Sequence, residues 1–461
     1  MNTMPTISPT AAILTLGCKV NQYESEALAE ALTRAGFVMQ PSHEACDLYI
    51  LNSCTVTAES DRKSRQAVRR LLSQNPNAYM IVTGCSAETG AQRMADIQGV
   101  DVVLGNKHKM KAVTYAQSLV SQGYKNQQAV LDVPSLEDAS FEAMTITSFV
   151  RTRAYVKIQD GCVSKCTYCT IPKARGPLRS KPLDDVVAEV TYLTKNGCAE
   201  VVLTGIETGA WGKDLGREHT LASLLVAISH IEGIGRVRLG SLDPTVITEE
   251  FAQTVSQLPC VTPHFHLSMQ SGCAATLARM KRKYNPTQAM AAMERLRRVM
   301  PQVQFTTDII VGFPGETEEE FAQTLAFVKE AKFLQVHAFP YSKRAGTPAA
   351  VMEGQVDEAI KKQRVHMIAD VAKQTAQEIL QSTISQGQPV SVLFETRHPQ
   401  GDVITYRGHT PSFMEVEVCA PSDIRGLTYT VIPTHTAEGM LYGKLATSPL
   451  PCTLTQGVTK P

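Results

Sequence analysis

Between residues 13 and 104, short apolar runs alternate with stretches of helical period. That alternation limits the segment to a parallel sheet with helical crossovers, because strands joined through helices return in the same direction. Residues 13–16, 48–51, 79–82 and 100–104 read as strands. Residues 21–35 read as a helix with Leu28, Ala31, Leu32 and Ala35 on one face, stopped by Gly36.

Residues 133–148 break the rhythm with Pro, Ser and acidic residues, which marks a boundary. The rhythm resumes with strand-like runs at 154–158, 201–203, 237–239, 264–267, 305–311 and 334–339, and with a helix at 184–196 ended by Gly197. Six βα units suit an open or partial barrel better than a closed barrel of eight. Gly387–Pro389 marks a second boundary, and 390–394, 403–406, 413–418 and 427–432 then read as short strands of a small β-barrel. The expectation is an α/β chain in three units: 11–125 a parallel-sheet domain, 148–383 a partial (β/α)6 barrel and 386–447 a small β-barrel. The proline-bearing tail from Ser448 reads as loose.

Net charge is only +1, so any nucleic-acid contact must rest on local basic groups rather than on a global field. Residues 1–10 lack a basic segment followed by an apolar one, and no run of 18 apolar residues occurs, so neither a signal peptide nor a membrane span is expected and the localisation reads as cytoplasmic. Twelve cysteines without a secretion signal favour metal ligation or catalysis over a disulfide framework.

Cys162, Cys166 and Cys169 stand as Cys-x-x-x-Cys-x-x-Cys directly after the first strand of the second unit. Three thiolates on one loop can hold three irons of a 4Fe–4S cluster and leave the fourth open, as a catalytic metal requires. A zinc knuckle wants a fourth ligand, and no Cys or His follows closely. Three further cysteines each end a strand of the first unit: Cys18, Cys54 and Cys85, two of them preceded by Gly. The C-terminal ends of parallel strands share one edge, so residues far apart in sequence converge there. Small buried hydrophobes are the bland alternative, but three at one relative position favour a second three-thiolate cluster. Cys46, Cys198, Cys260, Cys273, Cys419 and Cys452 match no ligand pattern and read as structural.

The central motif, with Tyr168 just before its last Cys, resembles the radical S-adenosylmethionine superfamily. The resemblance implies that the open iron chelates the methionine moiety of S-adenosylmethionine and that an electron from the cluster yields a 5′-deoxyadenosyl radical. Both cysteine sets together resemble the methylthiotransferase family, through Thr15-Leu-Gly-Cys-Lys-Val-Asn-Gln-Tyr-Glu-Ser25, Asn52-Ser-Cys-Thr-Val-Thr57 and Gly84-Cys85. That family carries two 4Fe–4S clusters, the auxiliary one associated with the sulfur that is delivered, and draws on an electron-donor protein. The stretches Lys63-Ser-Arg-Gln-Ala-Val-Arg69, Lys157-Ile-Gln-Asp-Gly-Cys162, Leu203-Thr-Gly-Ile206 and Phe339-Pro-Tyr-Ser342 resemble the branch acting on N6-threonylcarbamoyladenosine of tRNA, next to the anticodon (position 37). Sister branches act on isopentenyladenosine in tRNA or on a ribosomal-protein aspartate; a non-catalytic iron–sulfur RNA-binding protein is the reading from another class. Ser53 and Gly240 depart from the family pattern of Thr and Ser without removing a ligand.

The same resemblance implies cofactor contacts. Gly205 and Glu207, in Thr204-Gly-Ile-Glu207, resemble the strand that receives the methionine amino group. Ser241 and Gln270 follow the third and fourth barrel strands, and Ile310 and Gly312 belong to a fifth-strand motif lying against the adenine. Met280-Lys-Arg-Lys-Tyr284 is a family signature that, as a bare charge run, would read as a solvated face. Basic groups at 62–70, 151–153, 173–181 and 281–283 are candidates for holding phosphates of the anticodon loop, with a solvated face the more ordinary reading of any one of them. The last unit resembles a TRAM domain, a small RNA-binding barrel.

Overall fold

The computed structural model describes residues 8–149, 152–400 and 403–449. Residues 1–7, Arg151 of the second basic group, and the tail beyond Pro449 with Cys452 lie outside the described residues.

The strands Thr10–Thr15, Leu48–Ser53, Tyr79–Gly84 and Val102–Leu104 form the middle of a six-stranded sheet, edged by Val38–Met39 beside the first and Val130–Asp132 beside the last. Every pairing in it is parallel. Leu48–Ser53 is buried along its whole length, as a central strand covered by helices on both faces must be. One face packs on Ala67, Val68 and Leu71 of helix Ala58–Gln74, the other on Leu28 and Leu32 of helix Lys19–Arg34. The two edge strands escape sequence reading because they are two and three residues long and expose Val38, Val130 and Leu131.

In the second unit six parallel strands follow one another in chain order: Arg153–Lys157, Glu200–Thr204, Arg236–Leu239 with its continuation Ser241–Leu242, His264–Gln270, Gln304–Val311 and Gln335–Pro340. The first and last do not pair with each other, so the barrel is partial. Apolar residues of these strands point outward beneath the helices, among them Val156, Leu203, Phe265, Leu267 and Ile309. Their neighbours in sequence face the lumen and are largely polar.

A 28-residue helix, Glu358–Ser385, runs to the third unit. Val390–Gln400, Val403–His409, Glu415–Cys419, Thr428–Ala437 and Met440–Pro449 close there into a five-stranded barrel. Its turn at Phe413, whose φ is +74°, plugs the bottom of the partial barrel. The ring is stacked between His264 and His409, with centroids 4.4 and 4.7 Å away, and the Arg238 guanidinium lies 5.0 Å from it.

Residues 133–149 carry no helix or strand and strap the first unit to the second. The Tyr23 hydroxyl donates to the carbonyl of Met144 in this strap (2.6 Å) and reaches the Glu189 carboxylate (3.0 Å). Backbone N–H groups of Thr147 and Ser148 donate to Glu30.

Candidate active site

Cys162, Cys166 and Cys169 occupy the loop after the strand Arg153–Lys157, at the C-terminal mouth of the partial barrel, and all three line a cavity of about 360 Å³. Gly161 starts the loop at φ +70°, and a Cβ there would fall 1.8 Å from the carbonyl oxygen of Pro177, so only glycine fits. The Thr167 N–H donates to the carbonyl of Met280 (3.1 Å) and its hydroxyl to that of Arg279 (2.9 Å), which ties the loop to the signature segment 280–284.

Each of the three sulfurs faces one N–H donor at 3.4 Å: Ser164 N–H to Cys162, Arg282 Nη1 to Cys166 and Ile171 N–H to Cys169. Such donors suit anionic sulfur and would tune a metal group held by it. Burial and the Glu207 carboxylate, 3.0 Å from its sulfur, push the free Cys162 thiol up to about 12; burial pushes Cys169 up to about 11. Metal loading must therefore displace protons. Among the described residues no three His, Cys, Asp or Glu side chains converge as a single-ion site. A cluster has no such need, since each thiolate takes a different iron.

Tyr168, Glu207, Ser241, Gln270 and Ile310 line the same cavity. Gln270 sits at φ +66°, where the pairing register of its strand shifts, a strained conformation in the cavity wall. Gly205 and Gly312 do not line it: a Cβ on Gly205 would meet Gln159, and one on Gly312 would meet the Lys361 stem 2.3 Å away.

The second set lies on the edge expected of it. Cys18 precedes helix Lys19–Arg34, Cys54 follows strand Leu48–Ser53, and Cys85 opens helix Cys85–Thr89. Gly84 holds φ +92°, and a Cβ there would lie 2.5 Å from the Ser53 carbonyl oxygen. The Ser53 hydroxyl accepts from the N–H groups of Ser86 and Ala87 (3.1 and 3.2 Å), a task that the family's threonine hydroxyl would equally perform. Cys54 and Cys85 are buried and Cys18 is exposed. Burial pushes the Cys85 thiol up to about 11 against the opposing pull of Arg175. The loop leaving Cys54, through Val56 and Thr57, forms a wall of the cavity that the other three cysteines line.

Three arginines that reading the sequence as charge runs assigned to RNA turn inward: Arg175, Arg179 and Arg282. Arg175, fully buried, donates through Nε to Cys85 Sγ (3.2 Å), through Nη2 to Asn21 Oδ1 (2.5 Å) and through Nη1 to Glu24 (2.5 Å) and Asp160 (3.3 Å). It thus joins the helix Ile171–Arg175, next to Cys169, to the auxiliary set. Glu24 also pairs with Lys109 and with Lys157 (2.8 Å), and Asp160 with Lys157 (2.7 Å) and Arg179 (3.4 Å). These cations hold the Glu24 and Asp160 carboxyls below the usual carboxylate range despite their burial. Of the group 173–181, only Lys173 is exposed; Arg175, Arg179 and Lys181 are buried in ion pairs and are withdrawn from RNA. Arg282 likewise pairs with Asp243 (2.9 Å), while Lys281 and Lys283 stay exposed. The signal for Arg282 was its place in the family signature. The group 62–70 keeps Arg62, Lys63, Arg69 and Arg70 exposed.

Residues 156–328 match the Radical SAM superfamily, and residues 10–105 match the Uncharacterized protein family UPF0004. Among solved structures, the radical S-adenosylmethionine methyltransferase TsrM from Kitasatospora setae shares the fold at TM-score 0.56 and 16% identity, over 75% of this chain and 77% of that one. Among curated proteins, a threonylcarbamoyladenosine tRNA methylthiotransferase MtaB of Bacillus subtilis is 38% identical over 90% of this chain and 92% of its own length. One of Thermotoga maritima is 41% identical over 79% and 82%. A tRNA-2-methylthio-N(6)-dimethylallyladenosine synthase of Clostridium tetani is 32% identical over 94% and 95%. By fold, site and likeness along almost its whole length, the chain belongs to the family of threonylcarbamoyladenosine tRNA methylthiotransferases.

Proposed function

We propose that this enzyme places a methylthio group on C2 of N6-threonylcarbamoyladenosine at position 37 of tRNA. The observation that carries this reading is the shared cavity: three cysteines form one wall, and the loop from a second set of three forms another. Cys162, Cys166 and Cys169 would hold the cluster that S-adenosylmethionine binds, and Cys18, Cys54 and Cys85 an auxiliary 4Fe–4S cluster. When bound, these groups supply one-electron chemistry and the sulfur that is transferred.

The chain's own residues do the rest. Glu207, Ser241 and Gln270 offer polar contacts to the cofactor, with Tyr168 and Ile310 as apolar walls. The backbone at Gly205 and Gly312 shapes the strand ends behind them. Walls contributed by both units would limit the access of water to the reacting groups once the substrate fills the cavity. The three units divide the work: 11–125 carries the auxiliary set, 148–383 the radical site, and 386–447 a TRAM-like RNA grip. Among the described residues no helix is long and apolar enough to cross a membrane. On this reading the enzyme works in the cytoplasm and is served by an electron-donor protein.

Nucleoside mass spectrometry of total tRNA from a deletion strain tests the reading. Threonylcarbamoyladenosine should accumulate and its 2-methylthio form disappear, and both should revert on complementation. An unchanged 2-methylthio-threonylcarbamoyladenosine level would refute the substrate.

A further inference from the structure

Below the cavity, the inner face of the partial barrel is used by neither cysteine set. The alternation that turns Val156, Leu203, Leu267 and Ile309 outward into the core turns Tyr155, His266, Asp308 and His337 inward. His266 is held at both nitrogens: Nδ1 lies 2.9 Å from the Thr306 hydroxyl and Nε2 lies 3.3 Å from Asp308 Oδ2. His337 stands opposite Asp308 in the strand register, its ring centroid 6.3 Å from that of His266 and 6.5 Å from that of Phe339. Asp308 and Phe339 also line the cavity above, so lumen and cavity are continuous. Lys19, next to Cys18, reaches toward the same lumen: burial and the charges of Arg153 and Arg238 hold its ammonium below the usual lysine value, and the carboxylates of Glu200 and Asp308 oppose them.

A prenyl chain entering this space would strip water from an ammonium, a carboxylate and two imidazoles and return no hydrogen bond. A threonylcarbamoyl group brings a carboxylate, a hydroxyl and a urea-like N–H and C=O, one partner for each. We propose that Lys19, His266, Asp308 and His337 form the specificity site for the N6 substituent, with Lys19 receiving its carboxylate and the His266–Asp308 pair and His337 receiving the hydroxyl and carbamoyl groups. This rests on the methylthiotransferase reading and extends it to the choice among modified adenosines.

The test uses the reconstituted full-length enzyme and three anticodon stem-loops, bearing threonylcarbamoyladenosine, its methyl ester, or isopentenyladenosine. The wild type should prefer the acid over the ester. Lys19→Met should lower kcat/KM for the acid by roughly 10- to 100-fold and leave the ester nearly unchanged, as expected when a charged hydrogen-bonding partner is removed. His337→Leu, away from the cysteines, should reduce the preference for threonylcarbamoyl over isopentenyl. Damage to the site as a whole would instead lower all three substrates together, with loss of iron, and would count against the proposal. A wild type indifferent to the ester, or variants that keep both preferences, would overturn this inference and leave the methylthiotransferase reading intact. A wild type that converts only the isopentenyl stem-loop would overturn both.

Discussion

Arg175→Gln isolates what the guanidinium does for the auxiliary set. The variant should fold, because neither carboxylate it touches is orphaned: Glu24 keeps Lys109 and Lys157, and Asp160 keeps Lys157 and Arg179. What disappears is the charged N–H···S contact to Cys85 at 3.2 Å. A hydrogen bond to a charged group contributes about 1.5–3 kcal/mol net. A cluster gains negative charge on reduction, so the contact is stronger in the reduced state. For one electron, about 1.4 kcal/mol corresponds to about 59 mV, so the midpoint potential should fall by up to about 130 mV. A Coulomb figure of the same size follows for a unit charge roughly 6 Å from the added electron at an effective dielectric constant of about 20. The assay is an EPR-monitored redox titration of protein whose Cys162, Cys166 and Cys169 are alanine, so that only the auxiliary cluster reports. Arg175→Lys, which keeps the charge and loses the fork, should shift less. A midpoint that stays put in Arg175→Gln while the iron is retained would refute the argument.

Glu24→Gln removes the anion shared by Arg175, Lys109 and Lys157 and should cost about 3–5 kcal/mol of stability, as for breaking a buried ion pair. Because the folded Glu24 carboxyl is held below its ordinary value, its contribution is complete above about pH 4.3 and is lost as pH falls toward the folded pKa. Limited proteolysis of the 133–149 strap across pH 3–7 should therefore show opening on acidification in the wild type, and opening already at neutral pH in the variant. Gly161→Ala cannot keep the cysteine loop in place, given the 1.8 Å approach to Pro177, and iron analysis should show about half the metal lost, from the radical set alone. Phe413→Ala leaves a void between His264 and His409 and should destabilise the docking of the C-terminal barrel by about 3–5 kcal/mol, seen as faster hydrogen exchange on the facing surfaces.

The central strands of the first unit were legible as buried apolar runs, those of the barrel by apolar residues recurring at every second position, and the edge on which the six cysteines lie because each set follows strand ends. Val38–Met39 and Val130–Asp132 were not, being short and exposed at the edges. The closing strand Met440–Pro449 was missed because Gly443 and Lys444 interrupt its apolar pattern, and its partners lie across a barrel that sequence does not display. Reading 173–181 as a phosphate-holding group failed for a definite reason. Local charge cannot reveal that Glu24, about 150 positions earlier, and Glu189 lie opposite, and so cannot tell a solvated arginine from a buried one. The lumen, by contrast, is written in the period of two along each barrel strand, once the outward face is known.

The buried ion pairs between the first unit and the barrel are hard to explain as a source of stability. Well-packed apolar side chains of the same volume would serve about as well, since desolvating the charges offsets most of their attraction. A planar guanidinium differs in being satisfiable in only one placement, and Arg175 must meet Cys85, Asn21, Glu24 and Asp160 together. A second tie of the same kind, Arg344 to Thr55 (2.7 Å) and Asp61 (2.5 Å), brackets the loop that leaves Cys54 from the other side. Displacing the first unit by even an ångström would leave several of these buried groups unpaired at once, so the docking is fixed rather than graded. Fixed docking is what the chemistry demands. In the proposed reaction, a group held on one wall of the cavity and a sulfur delivered from the other would act on the same base only if their separation does not drift.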